Sequence, residues 1–322
     1  MRLLTRSDFD GLVCGVLLKE AGIIGEYTFV HPKDVQDGKI EVTSNDILAN
    51  VPFAKGCGLW FDHHLSEEER KAFPHDFAGA SYNAKSAARV VYDYYGGKEK
   101  FPRFDDMMTA VDKTDSGDLT KDEVLWPTKW ILLSFMMDPR TGLGRYKDYR
   151  ISNYQLMENL MECCRTMTID EIMDMPDLKE RTRRYREQDA QYRIMIEKYS
   201  RINGNVLTID LRQVDEIMTG NRFIEYCLFP EQHTSIRVMW GLNKQKVVFA
   251  VGHSIINRSS KVNIGSLLLK YGGGGHFQVG TCQVDVERAE YVLAKLEDAL
   301  TSHSPEVPDV LESYAKINSG RQ

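Results

Sequence analysis

Gly58-Leu59-Trp60-Phe61-Asp62-His63-His64 decides how this chain is read. Residues that suit a buried strand run straight into an acid and two imidazoles. Short apolar runs of this kind fit a parallel strand covered on both faces. Polar groups at the carboxyl end of such a strand sit where open α/β sheets bind their ligands. An acid with two imidazoles has one good chemical use there, holding a divalent metal. Mixed imidazole and carboxylate ligands suit Mn, Fe, Co or Zn, whereas Mg prefers oxygen alone. One imidazole can bind the metal while the other faces substrate or supports the first. The competing reading is a histidine pair bonded to its neighbouring acid at a strand end. We take Asp62, His63 and His64 as the candidate catalytic group.

The flanking sequence extends the pattern. Residues 2–5 predict a strand, 12–21 a helix entered through Gly11, 47–50 a second strand and 58–61 a third. Spacing of Ala88, Val91, Tyr92 and Tyr95 predicts a helix over 84–95. Alternation of this type predicts an α/β fold, with a mostly parallel sheet in an N-terminal domain at 1–125. Asp8, Asn50 and Asp62 then all fall at strand ends. Residues 126–201 predict a helical segment closed by a linker helix. Its run Arg181-Thr182-Arg183-Arg184-Tyr185-Arg186 reads as a solvated face rather than a nucleic-acid patch. A smaller α/β domain is expected at 202–301, with strands at 206–211, 235–240, 247–251 and 280–284. Helices are expected near 219–228, 264–271 and 287–300, and an extended tail at 302–322.

Composition narrows the class. With 322 residues, 42% hydrophobic and 27% charged, the chain suits a globular protein of two domains. A net charge of −6 disfavours a surface that coats nucleic acid, though a local basic groove stays compatible with it. No apolar run approaches the ~20 residues that a membrane helix needs. The opening residues carry no secretory hydrophobic run, and the 6 cysteines form no CxxC pair. We therefore expect a reduced, cytoplasmic protein with no membrane partner.

Three more clusters carry chemistry. In Asp8-Phe9-Asp10-Gly11 the two acids share a face if the chain stays extended, and a nearby dication offsets their repulsion. The bland reading is one helix cap and one solvated acid. In Val111-Asp112-Lys113-Thr114-Asp115-Ser116-Gly117, Asp112 or Asp115 offers a further carboxylate, unless both are turn residues. Lys85 and Arg89 are candidates for added positive charge. Lastly, Gly272-Gly273-Gly274-Gly275-His276 has a run of glycines expected about once in a hundred chains of this length. Bare glycine N–H groups can surround an anion, and His276 and the nearby Arg258 can add charge.

An aspartate pair, Asp-His-His, a later aspartate and GGGGH occur here in the order seen in the DHH phosphoesterases. Nearly the whole chain resembles the subgroup with a DHHA1 C-terminal domain, and Asn50-Val51-Pro52-Phe53 with Cys57 to His64 looks like proteins called exopolyphosphatase-related. The resemblance implies metal ligation by Asp8, Asp10, His63 and Asp115, with His64 on the substrate side. It likewise implies substrate binding by Arg258, Gly273, Gly274, Gly275 and His276, in a cleft between domains. Members use Mn or Mg to cleave oligonucleotides, 3′-phosphoadenosine phosphate, products of cyclic dinucleotides, pyrophosphate or polyphosphate. The expected partner is thus a phosphate-containing small molecule or a short single-stranded oligonucleotide, with monomer or dimer left open.

Two positions depart from that pattern. Leu4 stands where the family has a histidine, and Asn50 where an aspartate bridges two metals. An amide lacks the charge to hold two dications close together. We expect one strong site from Asp10, His63 and Asp115 with help from Asp8, Mn before Mg, and a second metal in doubt. The rival expectation is a nucleotide- or phosphate-binding protein whose degenerate metal site turns nothing over.

Overall fold

The structure, a computed structural model, describes residues 1–63 and 77–301. His64 and the 302–322 tail lie outside the described residues. The chain divides into two compact units. The first is Met1–Lys198 with Val214–Pro230, and the second is formed by Tyr199–Gln213 with the chain from Glu231 onward. The predicted helix near 219–228 is therefore part of the first unit, although it follows the first strands of the second in sequence.

In the first unit β1 (Arg2–Arg6) leads into α1 (Phe9–Glu20), followed by β2 (Glu26–Val30), α2 (Pro32–Gln36), β3 (Asp46–Ala49), β4 (Leu59–Asp62) and β5 (Gly79–Ser81). The strands pair in parallel in the order β2-β1-β3-β4-β5. Leu3, Leu4, Ile47, Leu48, Trp60 and Phe61 are fully buried or nearly so, as a sheet covered on both faces requires. Helix α1 is buried from Phe9 to Leu18 without a polar side, so it is a core helix rather than an amphipathic one. Around it lie α3 (Ala87–Tyr94), α5 (Asp105–Ser116) and α8 (Asn153–Thr166), with α4 (Gly97–Lys100), α6 (Lys121–Leu125) and α7 (Lys129–Met137) between them in sequence. Helices α9 (Ile169–Asp174) and α10 (Pro176–Lys198) complete the helical segment, and α11 (Ile224–Leu228) returns to it.

The order of these strands reverses at β1: the chain steps outward to β2 and then back across to β3. The crevice beyond the carboxyl ends of β1 and β3 is the switch point at which such sheets bind ligands. β2 and β5 are absent from the predicted strands. Strand β2 is a half-buried edge and β5 is only Gly-Ala-Ser, so neither carries a strong periodic signal.

The arginine run on α10 departs from its expected role. Arg181 is fully buried, donates to Asn153 and to the carbonyls of Ile151 and Asp177, and stacks on Tyr149 at 4.0 Å. Arg183 keeps the expected solvent exposure.

The second unit is a mixed sheet in the order β10-β11-β9-β8-β7-β6. Its strands are β6 (Ser200–Asn203), β7 (Val206–Asp210), β8 (Thr234–Trp240), β9 (Lys246–His253), β10 (Gly274–Gly275) and β11 (Val279–Asp285). Helices α12 (Ile264–Leu269) and α13 (Ala289–Thr301) add Ile264, Leu268, Val292 and Leu296 to its apolar core. Among the described residues no helix is long and apolar enough to cross a membrane.

Candidate metal centre

The first unit's polar centre starts at the junction of β1 and α1. The sequence predicts a helix from 12 with Asp8 and Asp10 extended side by side. Instead the helix starts at Phe9, and the two acids do different jobs. Asp8 is extended (φ −145°) and caps the helix, its side chain accepting the Gly11 N–H at 3.0 Å. Asp10, one residue into the helix, turns inward and is only 2% exposed. Gly11 matters for close approach rather than for a turn: a Cβ there would lie 2.0 Å from the Arg6 carbonyl oxygen.

Asp10 accepts the Ala87 and Ala88 N–H groups at 2.9 and 2.8 Å, and Ser86 accepts that of Arg89 at 3.0 Å. Three donors that the first turn of α3 would leave unpaired are thus satisfied. Burial, and then the charges of Asp115 and Asp8, push the Asp10 carboxyl well above the usual carboxylate range; the two N–H groups pull it back only in part. A cation would resolve that conflict.

His63 follows β4 and places its Nδ1 3.2 Å from the Ala84 carbonyl oxygen. That oxygen can only accept, so Nδ1 donates to it and Nε2 is the ring nitrogen that faces the acids. Nε2 lies 3.8 Å from Asp10 Oδ2 and 3.2 Å from Asp115 Oδ2. One ligand atom from each of Asp10, His63 and Asp115 falls within 4.8 Å of the others. Two carboxylates and one imidazole so placed could hold a divalent metal.

Asp112 and Asp115 both lie on α5, not in a loop. Asp112 accepts from Ser86 Oγ at 2.8 Å and from Arg89 Nη2 at 2.6 Å, so it braces α3 against α5 while Asp115 faces His63. Arg89 is committed to Asp112 and Lys85 to Asp118, so the positive charge expected from these two is spent away from the metal cluster. Asp62 is buried and its Oδ1 accepts the His63 N–H at 2.9 Å.

Asn50, at the position where the family pattern has a bridging aspartate, is paired with Asp8. Asp8 Oδ1 also accepts the Asn50 side-chain amide at 3.0 Å, and Asp8 Oδ2 pairs with Arg6 Nε at 3.0 Å. The group of three close ligand atoms does not include Asp8. Asn50 itself takes a left-handed backbone (φ 56°), which asparagine tolerates better than most residues.

Protein-family models return no match to the chain, nor do curated proteins compared by sequence. Among solved structures, the pGpG-specific phosphodiesterase PggH from Vibrio cholerae is 48% identical, with 94% of this chain and 99% of that one covered and a TM-score of 0.79. The chain belongs to the DHH phosphoesterase superfamily. This DHH protein is an enzyme, a phosphohydrolase. More remote likenesses, each 13% identical with a TM-score of 0.49, are an exopolyphosphatase-related protein from Bacteroides fragilis (92% of this chain, 91% of that one) and RecJ from Thermus thermophilus in complex with Mn2+ (95% and 52%). Both are too distant to bear on substrate or mechanism.

The DHH enzyme's second unit holds the remaining predicted residues. Only the second half of its glycine tract, Gly274–Gly275, is in the sheet, as the edge strand β10, while Gly272 lies in a turn. Gly272, Gly273 and His276 donate their N–H groups to the carbonyls of Leu269, Leu268 and Val279 at 3.1, 3.0 and 2.7 Å. Those three donors are satisfied within the protein, where the sequence reads the tract as an anion cradle. Gly273 and Gly275 answer a packing need. A Cβ on Gly273 would lie 2.2 Å from the Thr281 oxygen, and one on Gly275 (φ 156°) 2.2 Å from that of Val279. Arg258 is held by its own turn, Nε donating to Ile255 at 3.0 Å.

A group that no sequence motif announces lies beside the metal cluster. Asp8, Asp10 and Asp115 share a small pocket with Asp138, Arg140 and Arg222. Pro139-Arg140-Thr141 and Asn221-Arg222-Phe223 match no pattern, and only the tertiary fold unites them.

Proposed function

We propose that this DHH phosphohydrolase cleaves a short linear dinucleotide of the pGpG type, using one divalent metal. The Asp10–His63–Asp115 cluster at the sheet's switch point carries this reading. The 48% identity to PggH across nearly the full length supports the choice of substrate. Water would add to phosphorus as the bond to the 3′ oxygen breaks, so that pGpG and water give two 5′-mononucleotides.

A bound Mn or Mg would lower the pKa of the attacking water and polarise the phosphoryl oxygen. The chain's own residues set up that chemistry. Ala84 holds His63 in the tautomer that offers Nε2, the first turn of α3 aims Asp10, and Asp115 closes the set. Asp8, Arg6 and Asn50 shape the neighbouring wall, and one metal rather than two is our reading of that arrangement. Asp62 supports the His63 backbone. His64 is retained as the substrate-side imidazole on sequence grounds alone, and Arg258, Gly274 and His276 as candidate substrate contacts. The free cysteines support a reducing, cytoplasmic setting.

Mononucleotide release from pGpG, from other dinucleotides, from 3′-phosphoadenosine phosphate and from polyphosphate, each with Mn2+, tests the proposal. The dinucleotides should be cleaved with pGpG fastest, and one equivalent of Mn2+ should bind. Preference for polyphosphate, or no dinucleotide turnover with metal demonstrably bound, overturns it.

A further inference from the structure

We propose that Arg140 and Arg222, clamped together by Asp138, form a fork that grips a nonbridging oxygen of the phosphoryl group under attack. The inference rests on the phosphoesterase reading above but not on the identity of the substrate.

The geometry is specific. Asp138 Oδ1 accepts both the backbone N–H and the Nε–H of Arg140, at 2.9 and 2.7 Å. Its other oxygen accepts Arg222 Nε–H at 3.2 Å. One carboxylate thus engages the inner nitrogen of each guanidinium and leaves their outer Nη groups unpaired among the described residues. Two guanidiniums on one carboxylate keep a net charge of +1. Their side chains are 48% and 23% exposed, while that of Asp138 is 13% exposed.

Neither arginine is on a slack segment. Asp138 ends α7 and begins a 3-10 turn (Pro139–Thr141) that Thr141 Oγ ties back to the Phe135 carbonyl at 2.7 Å. On the returning strand of chain, Thr219 N–H reaches Gln188 at 2.7 Å, Gly220 N–H the Thr141 carbonyl at 3.2 Å, and Asn221 the Val124 carbonyl at 3.0 Å. The Arg222 Cζ also lies over the Phe223 ring, 4.1 Å from its centre. Planar donors held this rigidly match a phosphoryl oxygen far better than a mobile lysine would. The alternative is that both arginines merely offset the negative charge of Asp8, Asp10 and Asp115. That role predicts an effect on metal affinity; the phosphoryl grip predicts an effect on phosphate.

Arg140→Met and Arg222→Met in the full chain, with Arg140→Lys and Asp138→Asn, distinguish the two. Calorimetry with inorganic phosphate on the Mn2+-loaded protein should show affinity falling about 10- to 100-fold for each Met variant. Mn2+ affinity should change less than about threefold, Arg140→Lys should recover only part of the phosphate binding, and Asp138→Asn should fall between the parent and the Met variants. Phosphate affinity unchanged in both folded Met variants overturns the fork. So does Mn2+ affinity moving in parallel with phosphate affinity. Failure to cleave pGpG would sink the substrate reading while leaving this binding result intact.

Discussion

Asn50 shows how one atom changes the demand for metal. Its amide nitrogen donates to Asp8 at 3.0 Å, where an aspartate would set one carboxylate against another. Asn50→Asp keeps a residue type that tolerates the left-handed backbone, so its effect is electrostatic. The metal-free variant should lose about 1–3 kcal/mol, and Mn2+ should raise its melting temperature more than it raises the parent's. Equal melting of the two metal-free proteins would show that the amide offsets nothing. Asp112 and Asp115, three residues apart on α5, separate structure from ligation. Asp112→Ala strands Arg89 and should cost about 1.5–3 kcal/mol with Mn2+ affinity kept. Asp115→Ala, at a site 30% exposed, should leave stability nearly unchanged and weaken Mn2+ binding at least tenfold. Denaturant titration and calorimetry on both variants read this directly, and the reverse pattern would reassign the ligand. The ligand types were legible in the sequence, because two acids and an imidazole at strand ends have few other uses. Which acid faces the imidazole was not, since that depends on the phase of a helix the loop-like sequence around Gly117 concealed. Asp138, Arg140 and Arg222 were invisible for a different reason: their meaning lies in being neighbours, and the two arginines are 82 positions apart in sequence.

At the scale of elements, the glycine tract is where pattern and packing part company. Four glycines before a histidine suggest an exposed loop, yet Gly274 and Gly275 pair with β11 as an edge strand. The tract's positions are not equivalent. A Cβ on Gly273 would meet Cys282 Cβ at 2.4 Å as well as the Thr281 oxygen, whereas one on Gly274 finds no atom nearer than 3.9 Å. Gly273→Ala should therefore cost about 1–3 kcal/mol, and Gly274→Ala less than about 0.5 kcal/mol, by denaturant titration. Equal, small costs at both positions would refute the packing account and return the tract to an open loop. Elements such as α10 and β9 could be placed from sequence because burial repeats along them. The short strands β5 and β10 could not. Gly79 (φ 117°) lets β5 run so close to β4 that a Cβ would sit 2.1 Å from the Trp60 oxygen, and such a strand exists only because its neighbour does.

For the molecule as a whole, the decisive fact is that the first unit is discontinuous. The chain leaves it at Lys198, builds two strands of the second unit, and returns with Val214–Pro230. The returning segment buries Phe223, Ile224 and Tyr226 to 4, 0 and 6% exposure, and packs Gly220 so tightly that a Cβ would lie 2.2 Å from the Tyr192 ring. Full burial of three such side chains is worth roughly 4.5–9 kcal/mol at about 1.5–3 kcal/mol each. That is comparable with the whole net stability of a typical domain, about 5–15 kcal/mol. Residues 1–198 alone should therefore be at best marginally folded, although they contain the sheet and all three proposed metal ligands. Sequence order suggests the opposite, a first half that ends cleanly at a linker helix, because the return depends on contacts between residues far apart in the chain. Thermal unfolding followed by intrinsic tryptophan fluorescence should show a fragment of 1–198 melting at least 10 °C below the intact protein, or without a cooperative transition. Adding a synthetic 214–230 peptide in excess should raise the melting point by mass action if the segment docks as described. A fragment that melts within a few degrees of the intact chain would mean that the return contributes little, and the arginine it carries would then sit on a segment too weakly held to organise a phosphoryl group.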